Sequence, residues 1–175
     1  YSALLNNPDH DKRYDADLYF YRGQSYYYQN EHGTALADLN KSLALNKYNK
    51  GRIYWYRARC HDKLGEEGEA MANYNQALAD AKGNKRLSVE ILSDRAQYYV
   101  RSGHLEEAEY DLSMARELEA SLRLSSGIGA KKNSDTRLIS NQSNGVTIAT
   151  SLNQDSDTKS AYEGEILKYT NRKKA

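Results

Sequence analysis

Tyr19-x3-Gly23-x2-Tyr26, followed by Ala35-x3-Leu39 and Ser42-Leu43, is the stretch on which the fold turns. Thirty-five residues later the chain reads Tyr54-x3-Ala58-x2-His61, Ala70-x3-Tyr74 and Ala77-Leu78. A third copy, 38 residues further on, reads Leu92-x3-Ala96-x2-Tyr99, Ala108-x3-Leu112 and Ala115. Each copy is broken once, at Asn30-Glu31-His32-Gly33, Leu64-Gly65-Glu66-Glu67 and Ser102-Gly103-His104. Helical spacing on both sides of a short break, repeated at a fixed period, describes a helix–turn–helix unit used three times.

The spacing has a physical reason. Small residues at Gly23, Ala58 and Ala96, set against Ala35, Ala70 and Ala108, let two helices approach closely. Larger side chains three or four positions on (Tyr26, Leu39, Tyr99, Leu112) then fill the flanking gaps as ridges fill grooves. Gly65 and Gly103 stand where a first helix must stop, and glycine accepts the left-handed backbone found there. The pattern predicts six helices, near 16–29, 34–46, 51–64, 67–82, 87–102 and 105–122, with no sheet. The residue before each small one is arginine in every copy: Arg22, Arg57 and Arg95. A guanidinium on a long stem covers a neighbouring unit and keeps its head wet, so these three read as structural.

A unit of 34–38 residues with small residues at these places resembles the tetratricopeptide repeat (TPR) family, over residues 1–122. The resemblance implies an all-α, TPR-type solenoid of antiparallel helix pairs, with repeats over 16–50, 51–86 and 87–122. Arginine before the small residue departs from the family, which has an apolar residue there. Ala3-Leu4 with Pro8 beyond them match the way a TPR second helix ends. Residues 1–15 therefore read as the end of an upstream repeat plus a connector; the alternative is an unrelated cap.

Outward from the repeats, composition narrows the class. The 175 residues are 39% apolar and 28% charged, with a net charge of +1, which argues against a nucleic-acid coat or a membrane-surface binder. Proline occurs once, at Pro8, so nothing in the long middle breaks a helix. One cysteine, Cys60, excludes an intrachain disulfide and makes an intracellular, cytoplasmic setting the default expectation. No run approaches the roughly 18 apolar residues of a membrane span. Opening on Tyr1 without a signal-peptide pattern, the sequence reads as a piece of a longer chain. Tyrosine is used 16 times against one Phe and one Trp, and it suits half-exposed surfaces better than a sealed core.

Near Leu122 the composition changes. Residues 1–122 carry 16 basic and 19 acidic residues, whereas 123–175 carry nine basic and five acidic ones, with Ser, Thr, Asn, Gln and Gly in excess. Residues 123–159 read as a polar linker or extended segment. A hairpin about Asn144-Gly145 would be marginal alone. Over 160–175 a short capping helix is expected, because Tyr162, Ile166 and Tyr169 fall at i, i+4 and i+7.

Catalytic chemistry finds no footing. His10, His32, His61 and His104 have no second ligand at helical spacing, so no metal is expected. Cys60 reads as a small interior hydrophobe rather than a nucleophile. Gly127-x-Gly129 lacks the strand and helix of a phosphate loop. Acid pairs such as Glu66-Glu67 and Glu106-Glu107 open second helices, where they suit the dipole. The expectation is a non-enzyme without a cofactor.

What the TPR resemblance implies for function is a concave groove lined by first helices. The corresponding positions are Phe20, Gln24, Tyr27 and Tyr28 in the first copy; Arg52, Trp55, Arg59 and Lys63 in the second; and Ser93, Gln97 and Arg101 in the third. Aromatics toward one end and cations toward the other suit a protein segment with an apolar anchor and carboxylates. Trp55 and Phe20 are the hot-spot candidates, or else are packed between units. The lysine–asparagine clamp of chaperone-binding relatives is absent, since Phe20, Gln24 and Tyr56 hold its places. Three roles follow, in this order. The first is a non-catalytic adaptor or scaffold, and the second a structural subunit of a multi-subunit assembly attached through array and tail. RNA binding ranks last, disfavoured by the repeats' net −3.

Overall fold

The computed structural model describes residues 1–46 and 50–125. The expected polar segment from 126 onward, the Asn144-Gly145 hairpin and the cap over 160–175 lie outside the described residues. Among those described, the chain is all-helical: α1 (Ser2–Leu5), a 3-10 turn (Lys12–Tyr14), α2 (Asp15–Tyr28), α3 (His32–Leu45), α4 (Gly51–Leu64), α5 (Glu67–Asp80), α6 (Lys85–Arg101) and α7 (Leu105–Ser125).

Three short turns join α2 to α3, α4 to α5 and α6 to α7, and they share one geometry. Asn30 (φ 62°), Gly65 (φ 75°) and Gly103 (φ 78°) are left-handed at equivalent places. The next amide closes back onto the first helix each time: Glu31 N–H to Tyr26 O at 2.9 Å, Glu66 N–H to His61 O at 2.9 Å, and His104 N–H to Tyr99 O at 2.8 Å. This satisfies carbonyls that a helix end leaves open. Asparagine takes the left-handed place in the first turn, so α3 starts at His32 rather than near 34. In front of α6 the Asn84 side chain accepts from Leu87 N–H at 3.1 Å, and this cap starts the helix at Lys85 rather than 87. At the far end α7 continues to Ser125, past the expected 122, with nothing helix-breaking before Gly127.

The two helices of each pair run antiparallel. In the first pair Gly23 meets Ala35, Arg22 meets Asp38, and the Ser42 hydroxyl reaches Ala16 O, so one position falls as its partner rises. The small residues are there for contact. A Cβ on Gly23 would stand 3.1 Å from Leu39 Cγ and 3.2 Å from Ala35 O. Ala35, Ala58, Ala70, Ala96 and Ala108 are all buried, Leu39 with them, while Tyr26, Tyr99 and Leu112 are half-buried beside them.

The three arginines depart from the expected wet head. Arg22 forks onto Asp38 (2.6 and 2.8 Å) and Arg95 onto Asp111 (2.7 and 2.7 Å), both carboxylates buried at 3% and 1% exposure. Desolvation is the reason: beneath a second helix a guanidinium needs a fixed counter-charge in place of water. The heads also reach back 20 residues, Arg95 to Asn75 and Arg22 to Ser2 of α1. Arg57 differs. The residue 16 further on is Asn73, whose amide donates to Glu69 O instead, and Arg57 Nε is buried without a partner.

The pairs pack in series. Ile53, Tyr56 and Cys60 of α4 close against Tyr27, Ala35 and Leu39, while Leu87, Ile91 and Tyr98 of α6 close against Ala58, Ala70, Tyr74 and Ala77. First helices touch first helices, α2 to α4 and α4 to α6. That row positions the candidate site.

Candidate partner-binding face

Along the row, hydrogen bonds stitch each first helix to the next. Gln24 donates its side-chain amide to the Tyr56 hydroxyl, which also pairs with the Tyr28 hydroxyl at 3.0 Å. Burial and the Tyr28 hydroxyl push the Tyr56 phenol up to about 12, so it stays a neutral hydrogen-bonding tip. Phe20 meets Tyr56 edge-on at 5.7 Å, and Tyr27 does so at 5.8 Å.

Between α4 and α6 the centre is Asp94. It accepts from Trp55 Nε1 at 2.8 Å and sits 3.3 Å from Arg59 Nε. The guanidinium of Arg59 lies over the Tyr27 ring at 4.5 Å, the Tyr56 ring at 5.3 Å and the Trp55 ring at 5.4 Å. The pair is not symmetric. Burial alone would pull Arg59 down, but Asp94 and the tyrosines outweigh it and hold the guanidinium up. At Asp94 burial wins: the carboxyl is raised although Arg59 and the Trp55 N–H oppose it. Cys60, beside Arg59, is buried, and burial pushes its thiol up to about 12, a value for packing rather than nucleophilic chemistry.

This arrangement differs from a strip running from an aromatic to bare cations. Arg59 is engaged by Asp94, and Arg101 by Asp62 of α4. Trp55 is half-buried, packed against both inter-pair clusters. Tyr27 and Ser93 are buried, Phe20, Gln24 and Gln97 are half-buried, and Tyr28, Arg52 and Lys63 are exposed. The structure thus brings Gln24, Tyr27, Tyr28, Trp55 and Arg59 into one network. It leaves Arg52 and Lys63 outside that network, as exposed cations on the same helix.

Asp94 was missed in the sequence. Spacing puts Asp94 on one helix face with Gln97 and Arg101, at i, i+3 and i+7, but it does not say that a neighbouring helix covers that face. The outer histidines also titrate differently. His10 is raised, first by its hydrogen bond to Asp15, whereas His32 is lowered by burial and then by Lys63. Among the described residues no group of three His, Cys, Asp or Glu gathers as a metal site, and no helix is long and apolar enough to cross a membrane. The chain matches no family model, no curated protein and no solved structure.

Proposed function

We propose that this chain is a TPR-type, non-catalytic interaction module that holds a segment of a partner protein against the row of first helices. The observation that carries the reading is the row itself. Three equivalent helices stand side by side, with internal polar networks consuming Arg59, Arg101 and the Tyr28 hydroxyl and leaving the Tyr28 ring, Arg52 and Lys63 toward solvent. A rigid face with an aromatic and two exposed cations suits a segment with an apolar anchor and a carboxylate. Support for the repeat reading comes from the shared register: three left-handed turns, two Arg–Asp forks 16 residues apart, and two back-contacts of 20. The back-contact of Arg22 to Ser2, at the same 20-residue interval as that of Arg95 to Asn75, supports reading residues 1–8 as a repeat tail.

The test is photo-crosslinking with the natural partner. Benzoylphenylalanine replacing Lys63 or Gln97 is expected to capture it, and the same group replacing Tyr110 on α7 is not. The double reversal Arg52→Glu/Lys63→Glu should weaken capture without moving the melting temperature. Capture through Tyr110 alone, or full binding by the double reversal, would overturn the groove.

A further inference from the structure

The three repeated arginines form an internal series, and the middle one lacks its counter-charge. Arg22 and Arg95 are each closed on two sides. A carboxylate of their own pair, Asp38 or Asp111, takes Nε and one Nη. A side-chain oxygen of the helix before, Ser2 or Asn75, takes the other Nη. At Arg57 both places differ. Asn73 stands where the carboxylate would be, its amide donated to Glu69 O, and Arg57 Nε is buried without a partner. The second place falls to Asn40, five residues after Ala35 as Asn75 is five after Ala70. Asn40 is exposed, and no hydrogen bond joins it to Arg57 among the described residues.

The neighbouring helices supply no replacement. On α3, Asp38 is taken by Arg22, and Lys41 lies over the Tyr19 ring at 5.1 Å. On α5, Glu69 is exposed and Gln76 turns to Asp80. Arg57 forms no ion pair with either acid among the described residues. The Tyr54 ring, 5.8 Å from the guanidinium, braces the head without neutralising it, as Tyr19 does for Arg22 at 5.5 Å. A cation drawn partly out of water carries a desolvation cost that an anion offsets.

We infer that Arg57 is an oxyanion site, taking the carboxylate or phosphate oxygens of a small ligand. Helix α4 packs against both α3 and α5, which make no close backbone approach to each other. By the register of its two counterparts, Arg57 points into the cleft between them. The planar Nη donors suit the paired oxygens of a carboxylate or phosphate, and the Asn40 amide supplies a further donor at the rim. The site lies among the second helices, so the inference does not rest on the reading of the first-helix row.

The test is an NMR titration of the full chain, 15N-labelled, at fixed ionic strength, with chloride replaced stepwise by inorganic phosphate or by acetate. A saturable shift is expected at the Arg57 Nε–H signal and the Asn40 side-chain amide, with the Nε–H signals of Arg22 and Arg95 unmoved. Whichever anion gives the tighter response names the class, phosphate or carboxylate. Asn73→Asp supplies a carboxylate from within the chain and should abolish the response without lowering the urea midpoint. Arg57→Gln should abolish the Asn40 response, and it keeps the question answerable if the first variant does not fold. Absence of a saturable shift, or equal shifts at Arg22 and Arg95, would overturn the inference. So would a response centred on Arg52 and Lys63 of the row, or one that survives in either folded variant.

Discussion

Gly65 shows what a single residue contributes here. It is left-handed, and a Cβ added to it meets nothing within 4 Å, so Gly65→Ala isolates the backbone cost. We expect a loss of about 1–2 kcal/mol, read as a lower urea midpoint at unchanged slope. An unchanged midpoint would mean the turn tolerates another conformation. The histidines give a pH prediction of two signs. For His10 the folded value is raised, so its contribution is full below the ordinary 6.5 and fades as pH rises through the folded value. For His32 the folded value is lowered, so its contribution is full above 6.5 and is lost as pH falls through the folded value. An NMR titration should place the two on opposite sides of 6.5, with Lys63→Met moving His32 upward. Of this residue-level detail, the glycines were legible in the sequence because a left-handed turn selects for them. Asp94 was not, because an acid on a helix face looks the same in solvent as beneath a neighbouring helix.

At the scale of the helix pair, the three arginines make an internal comparison. Asp111→Asn would give Arg95 the surroundings that Asn73 gives Arg57. Removing one partner of a buried pair should cost about 3 kcal/mol or more. The converse, Asn73→Asp, places a carboxylate where Asp38 and Asp111 fork their arginines, and should gain about 1 kcal/mol net of desolvation. Chemical denaturation of both variants checks this, and a destabilised Asn73→Asp would show that Arg57 is not poised as its counterparts are. Ala70 tests the close approach. It is fully buried against α4, so Ala70→Leu should overpack and lower stability by about 1–3 kcal/mol. The helix pairs themselves were legible, since small residues at a fixed period leave few other packings. The pairing of arginine with a residue 16 positions on was not. It depends on which way each side chain turns once the second helix covers it.

Across the whole molecule, stability should behave as a sum over neighbours, as serial packing dictates. Trp55 lies on the seam between α4 and α6, and it is the one tryptophan of the chain, so its fluorescence reports that seam. Asp94→Ala leaves Arg59 among aromatics without its carboxylate and should cost about 2–3 kcal/mol. Hydrogen exchange should quicken mainly in α6 and α7, with α2 and α3 nearly unchanged; a uniform increase would argue for a single cooperative core. The sequence by itself determined the helical class, the three-fold period, the turns and the small-residue contacts. All of these are local: they follow from spacing along one helix and from the backbone freedom of single residues. Which cations are drawn into the internal networks and which remain outside them, only the tertiary structure decided. That depends on what lies across from a side chain, and the neighbour comes from a helix 30 to 40 residues away in the chain.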